Sequence, residues 1–145
     1  MADKLTYGSY YFDTAASTTL SAATPAKAAG TTAPMAAYGL TTTTSNRITL
    51  NAGQTTRLYD VNVSISSTKA LGGDAIGSFY IYKNGVEIPG MHIQRTIANS
   101  SDIGAIPING QVELSEGDYL ELWVESDNGN AIQIEHGVVS VKVLG

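Results

Sequence analysis

The residues best suited to acid–base chemistry in this sequence are its two histidines, His92 and His136. An imidazole titrates near physiological pH, so either one is suited to activate a serine as a nucleophile. Two histidines are too few for a three-histidine metal site, and the absence of cysteine excludes thiolate ligands. We expect both histidines to lie on the solvent-facing side of a strand, and we predict no catalytic residue.

Oxygen ligands for a metal ion are densest in the segment Asp127-Asn128-Gly129-Asn130. Such a segment suits Ca²⁺, but the later glutamate that completes a calcium loop is missing, so a plain hairpin turn is favoured. Gly72-Gly73 lacks the Lys-Ser/Thr of a phosphate-binding loop. We therefore predict no metal and no cofactor. Five carboxylates are expected only to solvate the surface: Glu113, Glu116, Asp118, Glu121 and Glu125.

The charge of the chain limits its partners. Its formal net charge is -5, and its 8 basic residues are scattered. Binding to nucleic acid requires clustered Lys and Arg, so we exclude that class of partner. No stretch approaches the roughly 20 apolar residues of a membrane-spanning helix. The first residues lack the apolar core of a signal peptide, which predicts synthesis in the cytoplasm without an export signal.

The elements that position these residues are predicted to be strands. Apolar residues alternate with polar ones in the period of two that gives a strand one buried face. Such runs include residues 59–66, 79–82, 119–125, 132–134 and 139–143. Turn signals separate them: Gly72-Gly73-Asp74, Asn84-Gly85, Asn109-Gly110, Glu116-Gly117-Asp118 and Asp127-Asn128-Gly129. Short alternating strands between such turns are typical of an all-β sandwich or barrel.

A single domain with three differently composed parts is expected. Residues 1–13 are rich in aromatic side chains and form either an arm or the first strand. Residues 14–45 are dominated by Ala and Thr. They can bury little apolar area, so we expect an extended segment with one or two thin strands. Residues 46–145 are expected to form the alternating body of the domain.

Two segments combine an alternating strand with a glycine-containing turn: Tyr80-Ile81-Tyr82-Lys83-Asn84-Gly85, and the run from Val112 to Leu122 with its Gly117-Asp118 turn. Both resemble the jelly-roll superfamily of tumour necrosis factor and the complement globular heads. Residues 29–32, 46–49 and 121–125 also resemble recurring phrases of small structural proteins of tailed bacteriophages. The resemblance implies a jelly-roll β-sandwich of about ten strands that assembles as a homotrimer.

The aromatic residues predict where the chain associates with itself. If Leu120 and Leu122 point into the core, the period of two places Tyr119 and Trp123 on the outer face. By the same alternation Tyr80 and Tyr82 point outward. Trp and Tyr are common anchors of protein interfaces. We predict a trimer interface formed by Tyr80, Tyr82, Tyr119 and Trp123.

The expected function follows from assembly. The first hypothesis is a virion protein: a trimeric decoration (cement) protein on the surface of a phage head, with the major capsid protein as its partner. In it the aromatic N-terminal residues attach to the capsid by strand addition: Tyr7, Tyr10, Tyr11 and Phe12. The alternative is a receptor- or glycan-binding tip of a tail fibre or spike.

Overall fold

The computed structural model describes residues 5–70 and 72–144, and these residues form twelve strands and no helix. The all-β prediction is thus confirmed. In chain order the strands are β1 (Tyr7–Thr14), β2 (Ala16–Thr18), β3 (Ala26–Lys27), β4 (Thr31–Tyr38), β5 (Leu40–Thr41), β6 (Ile48–Leu50), β7 (Arg57–Lys69), β8 (Ala75–Lys83), β9 (Val86–Ile97), β10 (Gly104–Leu114), β11 (Tyr119–Ser126) and β12 (Ile132–Val143). The described part of the chain holds no helix that is long and apolar enough to cross a membrane.

The strands form two antiparallel sheets, which we call sheet I and sheet II. Sheet I has the strand order β10-β7-β12-β1-β4, with β2 beside β12. Sheet II has the order β5-β6-β11-β8-β9, with β3 beside β11. Neighbouring strands are mostly distant in sequence, as expected of a jelly roll in which the chain crosses repeatedly between two packed sheets.

The core lies between the two sheets and follows the predicted alternation. On β7 the inward residues Tyr59, Val61 and Val63 are at most 2% exposed. On β11 Leu120 and Leu122 are at most 1% exposed and belong to the same core cluster. The side chains between them project from the opposite face of each sheet. The predicted orientation of these strands is therefore confirmed.

Most of the predicted turns connect strands, with one exception. Asn84 and Gly85 have φ angles of 53° and 81° and join β8 to β9, as tight hairpins with positive φ require. Asn109-Gly110, however, lies inside β10, where the two residues pair with Asn62 and Val61 of β7. The prediction of a turn there was wrong because the ladder with β7 continues through this dipeptide.

The segment of residues 14–45 contains more strands than the sequence predicted. It holds β2, β3, β4 and β5 instead of one or two. Five consecutive residues of β4 from Pro34 onward are exposed, yet the strand pairs with β1 over most of its length. Backbone hydrogen bonds hold β4 in place, and these leave no mark in the pattern of apolar residues.

The N-terminal aromatic segment is an interior strand of sheet I. β1 lies between β4 and β12, and Tyr7 pairs with Lys142 near the other end of the chain. Tyr10 is 0% and Phe12 3% exposed. These two side chains fill the core, so the prediction that they attach to a partner was wrong. Residues 1–4 of the predicted arm lie outside the described residues.

A buried asparagine connects the two sheets. The Asn46 Oδ1 accepts hydrogen bonds from the Tyr10 hydroxyl at 2.6 Å and from the Leu122 N–H at 3.0 Å. Its Nδ2 donates to the carbonyl oxygens of Ala28 at 3.1 Å and Leu122 at 2.8 Å. Burial, with a smaller effect of the Glu121 carboxylate, raises the pKa of Tyr10 well above its usual range. The Tyr10 hydroxyl therefore remains a donor at physiological pH.

Candidate interaction surfaces

The outer face of sheet II carries the four aromatic residues predicted to form the trimer interface. The Tyr82 and Trp123 rings stack with centroids 4.1 Å apart and planes inclined by 2°. Tyr80 stacks on His92 at 4.3 Å and meets Tyr82 edge-on at 5.9 Å. The Tyr80 hydroxyl also donates to the Glu125 carboxylate. This row of rings runs across β9, β8 and β11.

The stacking leaves little of these tyrosines exposed. Tyr80 is 6% and Tyr82 8% exposed in a single chain, while Tyr119 and Trp123 are half-buried. A side chain that is already covered contributes little further area to an interface. Their outward orientation agrees with the sequence, but their role in a trimer stays a prediction.

Beside this row, Glu121 is the centre of a polar cluster that the sequence did not indicate. Its carboxylate is 3% exposed although it projects from the outer face of β11. It accepts hydrogen bonds from Arg47 Nε at 2.8 Å and Trp123 Nε1 at 3.1 Å, and Lys27 Nζ lies 3.1 Å away. The Arg47 guanidinium in turn covers the Tyr119 ring at 4.0 Å. The prediction that Glu121 only solvates the surface was therefore wrong. Its basic partners are distant in sequence, so no local pattern indicated this cluster.

The environment of Glu121 favours its ionised form. Burial alone would raise the pKa of Glu121, but hydrogen bonds from Trp123, Arg47 and Lys27 outweigh burial and hold it below its usual range. A carboxyl group whose pKa is lowered on folding stabilises the protein above its unfolded pKa. That stabilisation is lost as the pH falls through the folded value.

Replacing Glu121 by Gln is expected to lower the free energy of unfolding at pH 7 by about 2 kcal/mol, because it leaves two cations without a buried carboxylate. Urea unfolding at pH 7 and pH 3 measures the effect. The difference from wild type should shrink at pH 3, because this pH lies below the unfolded pKa of 4.5 and the stabilisation by the ionised carboxylate is being lost there. The exposed Glu113→Gln variant serves as the control. An equal difference at both pH values would assign the loss to packing instead of charge.

The outer face of sheet I carries most of the exposed large hydrophobic residues. Val143 pairs with Tyr59, so the next residue, Leu144, lies opposite Leu58, and its N–H donates to the Leu58 carbonyl. Leu58 and Leu144 are each 47% exposed. Tyr7 stacks on Tyr38 of β4 at 6.4 Å on the same face.

Seven of the ten exposed large hydrophobic residues belong to this side of the molecule. We call them the sheet I patch: Leu5, Tyr7, Tyr11, Met35, Tyr38, Leu58 and Leu144. Next to the patch the side chains of this face are small and polar. A depression of about 210 Å³ lies there between Tyr7, Asn62 and Ser140. Large exposed apolar patches of this kind mark interaction sites on soluble proteins.

The residues considered for catalysis and metal binding are engaged in ordinary contacts. His92 and His136 are both exposed, as the sequence predicted. Asp127 Oδ1 accepts the Ile76 N–H at 2.8 Å, and Asn128 Nδ2 donates to the Asp74 carbonyl at 2.8 Å. These bonds fix the turn between β11 and β12. Within the described residues no group of three or more His, Asp or Glu side chains is arranged to hold a metal ion.

Comparison with known proteins supports the fold. No protein-family model and no curated protein matches the sequence. The solved structure of murine APRIL is 12% identical with a TM-score of 0.63, covering 97% of this chain and 100% of that chain. Eiger TNF from S. frugiperda is 11% identical with a TM-score of 0.65, covering 99% of this chain and 94% of that chain. At these identities the similarity shows the fold alone, and the predicted tumour-necrosis-factor-like jelly roll is confirmed.

Proposed function

We propose that this chain is a non-enzymatic structural protein that assembles as a homotrimer through the outer face of sheet I. The observation that carries the proposal is the sheet I patch, where seven of the ten exposed large hydrophobic residues are concentrated. Burying such a patch against further copies removes apolar surface from water, which is the main driving force of association. Tyr7, Tyr11 and Tyr38 supply the aromatic anchors typical of interfaces.

This assignment differs from the interface predicted from the sequence. Tyr80 and Tyr82 are shielded by their own neighbours on sheet II. The patch on sheet I has no such cover in a single chain. Tyr7 and Tyr11, which were predicted to attach to a capsid, are therefore assigned to contacts between copies. Sheet II then faces away from those contacts, because the two outer faces of a sandwich point in opposite directions.

We further propose that the trimer decorates the head of a bacteriophage, with the major capsid protein as its partner and the virion surface as its location. The support is the resemblance of residues 29–32, 46–49 and 121–125 to phage structural proteins. A trimer also matches the three-fold positions of a capsid lattice. Symmetric attachment multiplies weak contacts into firm binding.

The test is to isolate the particles that carry this chain with an antibody raised against the recombinant protein, and to count its copies by quantitative mass spectrometry. Hundreds of copies per particle are expected for a decoration protein. A handful would instead indicate the tip of a fibre or spike. Recovery of the chain free of any particle would contradict a virion role without affecting the proposed trimer.

A further inference from the structure

Two hydrophilic side chains at the end of β7 point into the space between the sheets. Ser67 lies opposite Ile134 and Lys69 lies opposite Ile132 in the ladder between β7 and β12. Residues that are directly opposite in a ladder project from the same face of the sheet. Both isoleucines belong to the core. Ser67 and Lys69 are therefore core-facing, and they are 0% and 1% exposed.

An arginine from sheet II reaches the same place. The Arg95 guanidinium packs so closely on Gly104 that any side chain there would collide with it. Gly104 is the ladder partner of Ser67, so the guanidinium lies beside that residue. Arg95 Nη1 donates weakly to the Ser67 carbonyl oxygen at 3.4 Å, and Nη2 donates to Asp102 Oδ1 at 2.6 Å. The Arg95 and Asp102 side chains are 22% and 28% exposed, so this ion pair connects the buried residues of the cluster with the surface of the molecule.

The polar groups of this cluster lack acceptors. Among the described residues, the Lys69 ammonium has one hydrogen-bond partner, the Gly72 carbonyl oxygen at 2.6 Å, and no carboxylate within 4.0 Å. An ammonium group has three donors. The Ser67 hydroxyl has no partner among the described residues. Hydrogen bonds from the Ala98 N–H and Arg95 hold the pKa of Asp102 low, and the Lys69 ammonium contributes.

We propose that Ser67, Lys69 and Arg95 form a binding site for a small inorganic anion of the halide class. Two cations and one carboxylate leave the cluster with one uncompensated positive charge. A buried ammonium is costly unless it is paired. An anion between Lys69 Nζ and Ser67 Oγ would supply both the missing charge and the missing acceptor. Ile132 and Ile134 lie directly opposite Lys69 and Ser67, so apolar side chains border the site and a small monatomic anion suits it best.

Thermal unfolding with chloride as the probe tests the site in solution. In sodium chloride the melting temperature should exceed that in sodium gluconate of equal ionic strength by about 3 °C, because the anion binds only the folded state. Ser67→Ala should abolish this difference. In gluconate this variant should melt no lower than wild type, because it removes a hydroxyl without a partner. Lys69→Met should also abolish the difference, whereas the surface variant Lys83→Met should retain it.

Equal melting temperatures of the wild type in the two salts would overturn the proposal. A chloride effect that persists in Ser67→Ala would overturn it as well, because the effect would then come from the general surface. Crystals soaked in bromide give an independent result. An anomalous peak within hydrogen-bonding distance of Lys69 Nζ is expected, and peaks at surface positions only would contradict the site.

Discussion

Replacing Leu58 by arginine is expected to convert the trimer into a monomer. Leu58 lies within the sheet I patch, and an arginine there would lose its hydration when copies associate. The penalty of about 3 kcal/mol corresponds to roughly 150-fold weaker association per contact. The isolated chain should still fold, because the new cation would lie opposite Glu113 of β10. Light scattering coupled to gel filtration should report three times the 15.2 kDa chain mass for the wild type and one chain mass for the variant.

Two variants on the outer face of sheet II test which of the two sheets forms the interface. Ile76, which is 42% exposed on β8, is the matched control, and Ile76→Arg should remain trimeric. Trp123→Glu tests the interface that the sequence predicted. We expect it to lower stability, because it removes the stack on Tyr82 and adds a carboxylate beside Glu121. A trimeric Leu58→Arg together with a monomeric Trp123→Glu would move the interface to sheet II.

Replacing Asn46 by alanine is expected to cost about 4 kcal/mol or more of the free energy of unfolding. Asn46 is 0% exposed, and its side chain makes four hydrogen bonds to three parts of the chain. The substitution leaves the Tyr10 hydroxyl and three backbone groups buried without these partners: the Ala28 carbonyl, the Leu122 carbonyl and the Leu122 N–H. Its φ of 51° adds strain, because alanine disfavours this conformation. Urea unfolding followed by circular dichroism measures the loss.

Glycine at the same position separates the two causes. Asn46→Gly relieves the backbone strain but still lacks the hydrogen bonds, so it should recover only about 1 kcal/mol. Asn84 has a similar φ of 53° in an exposed turn, and Asn84→Ala should cost less than half as much as Asn46→Ala. If Asn46→Gly restored full stability, the hydrogen bonds of Asn46 would contribute nothing, and the whole loss in Asn46→Ala would come from backbone strain.

The sequence predicted the parts of the fold that depend on burial. The alternation in β7, β8 and β11 places apolar side chains between the sheets, and that pattern is local along the chain. β4 has no such pattern. This strand is held by backbone hydrogen bonds to β1, which do not require alternating apolar side chains. For residues 1–13 the sequence predicted either an arm or the first strand, without deciding between them. Tyr10 is buried with its hydroxyl bonded to Asn46, which lies 36 residues away in the sequence, so no local pattern indicates this contact.

The candidate surfaces were predicted only in part, for a related reason. Alternation fixes the face from which Tyr80, Tyr82 and Trp123 project. It does not show which side chains cover one another on that face. The partners of Glu121 are Lys27 and Arg47, which are brought close by strand pairings of high sequence separation. The sheet I patch combines residues from both ends of the chain, so no local window of sequence contains it.

The pairing of the first strand with the last has a consequence for how the chain folds. Tyr7 of β1 pairs with Lys142 of β12, so sheet I is incomplete until β12 has been synthesised. Before then β1 lacks β12 as its neighbour, and the side chains that β1 buries in the folded protein, such as Tyr10 and Phe12, lack part of the core that covers them. The chain loses the entropy of closing such a long loop before it gains the contacts between β1 and β12, and this order makes folding slow. The nascent chain is therefore most exposed to aggregation during its own translation.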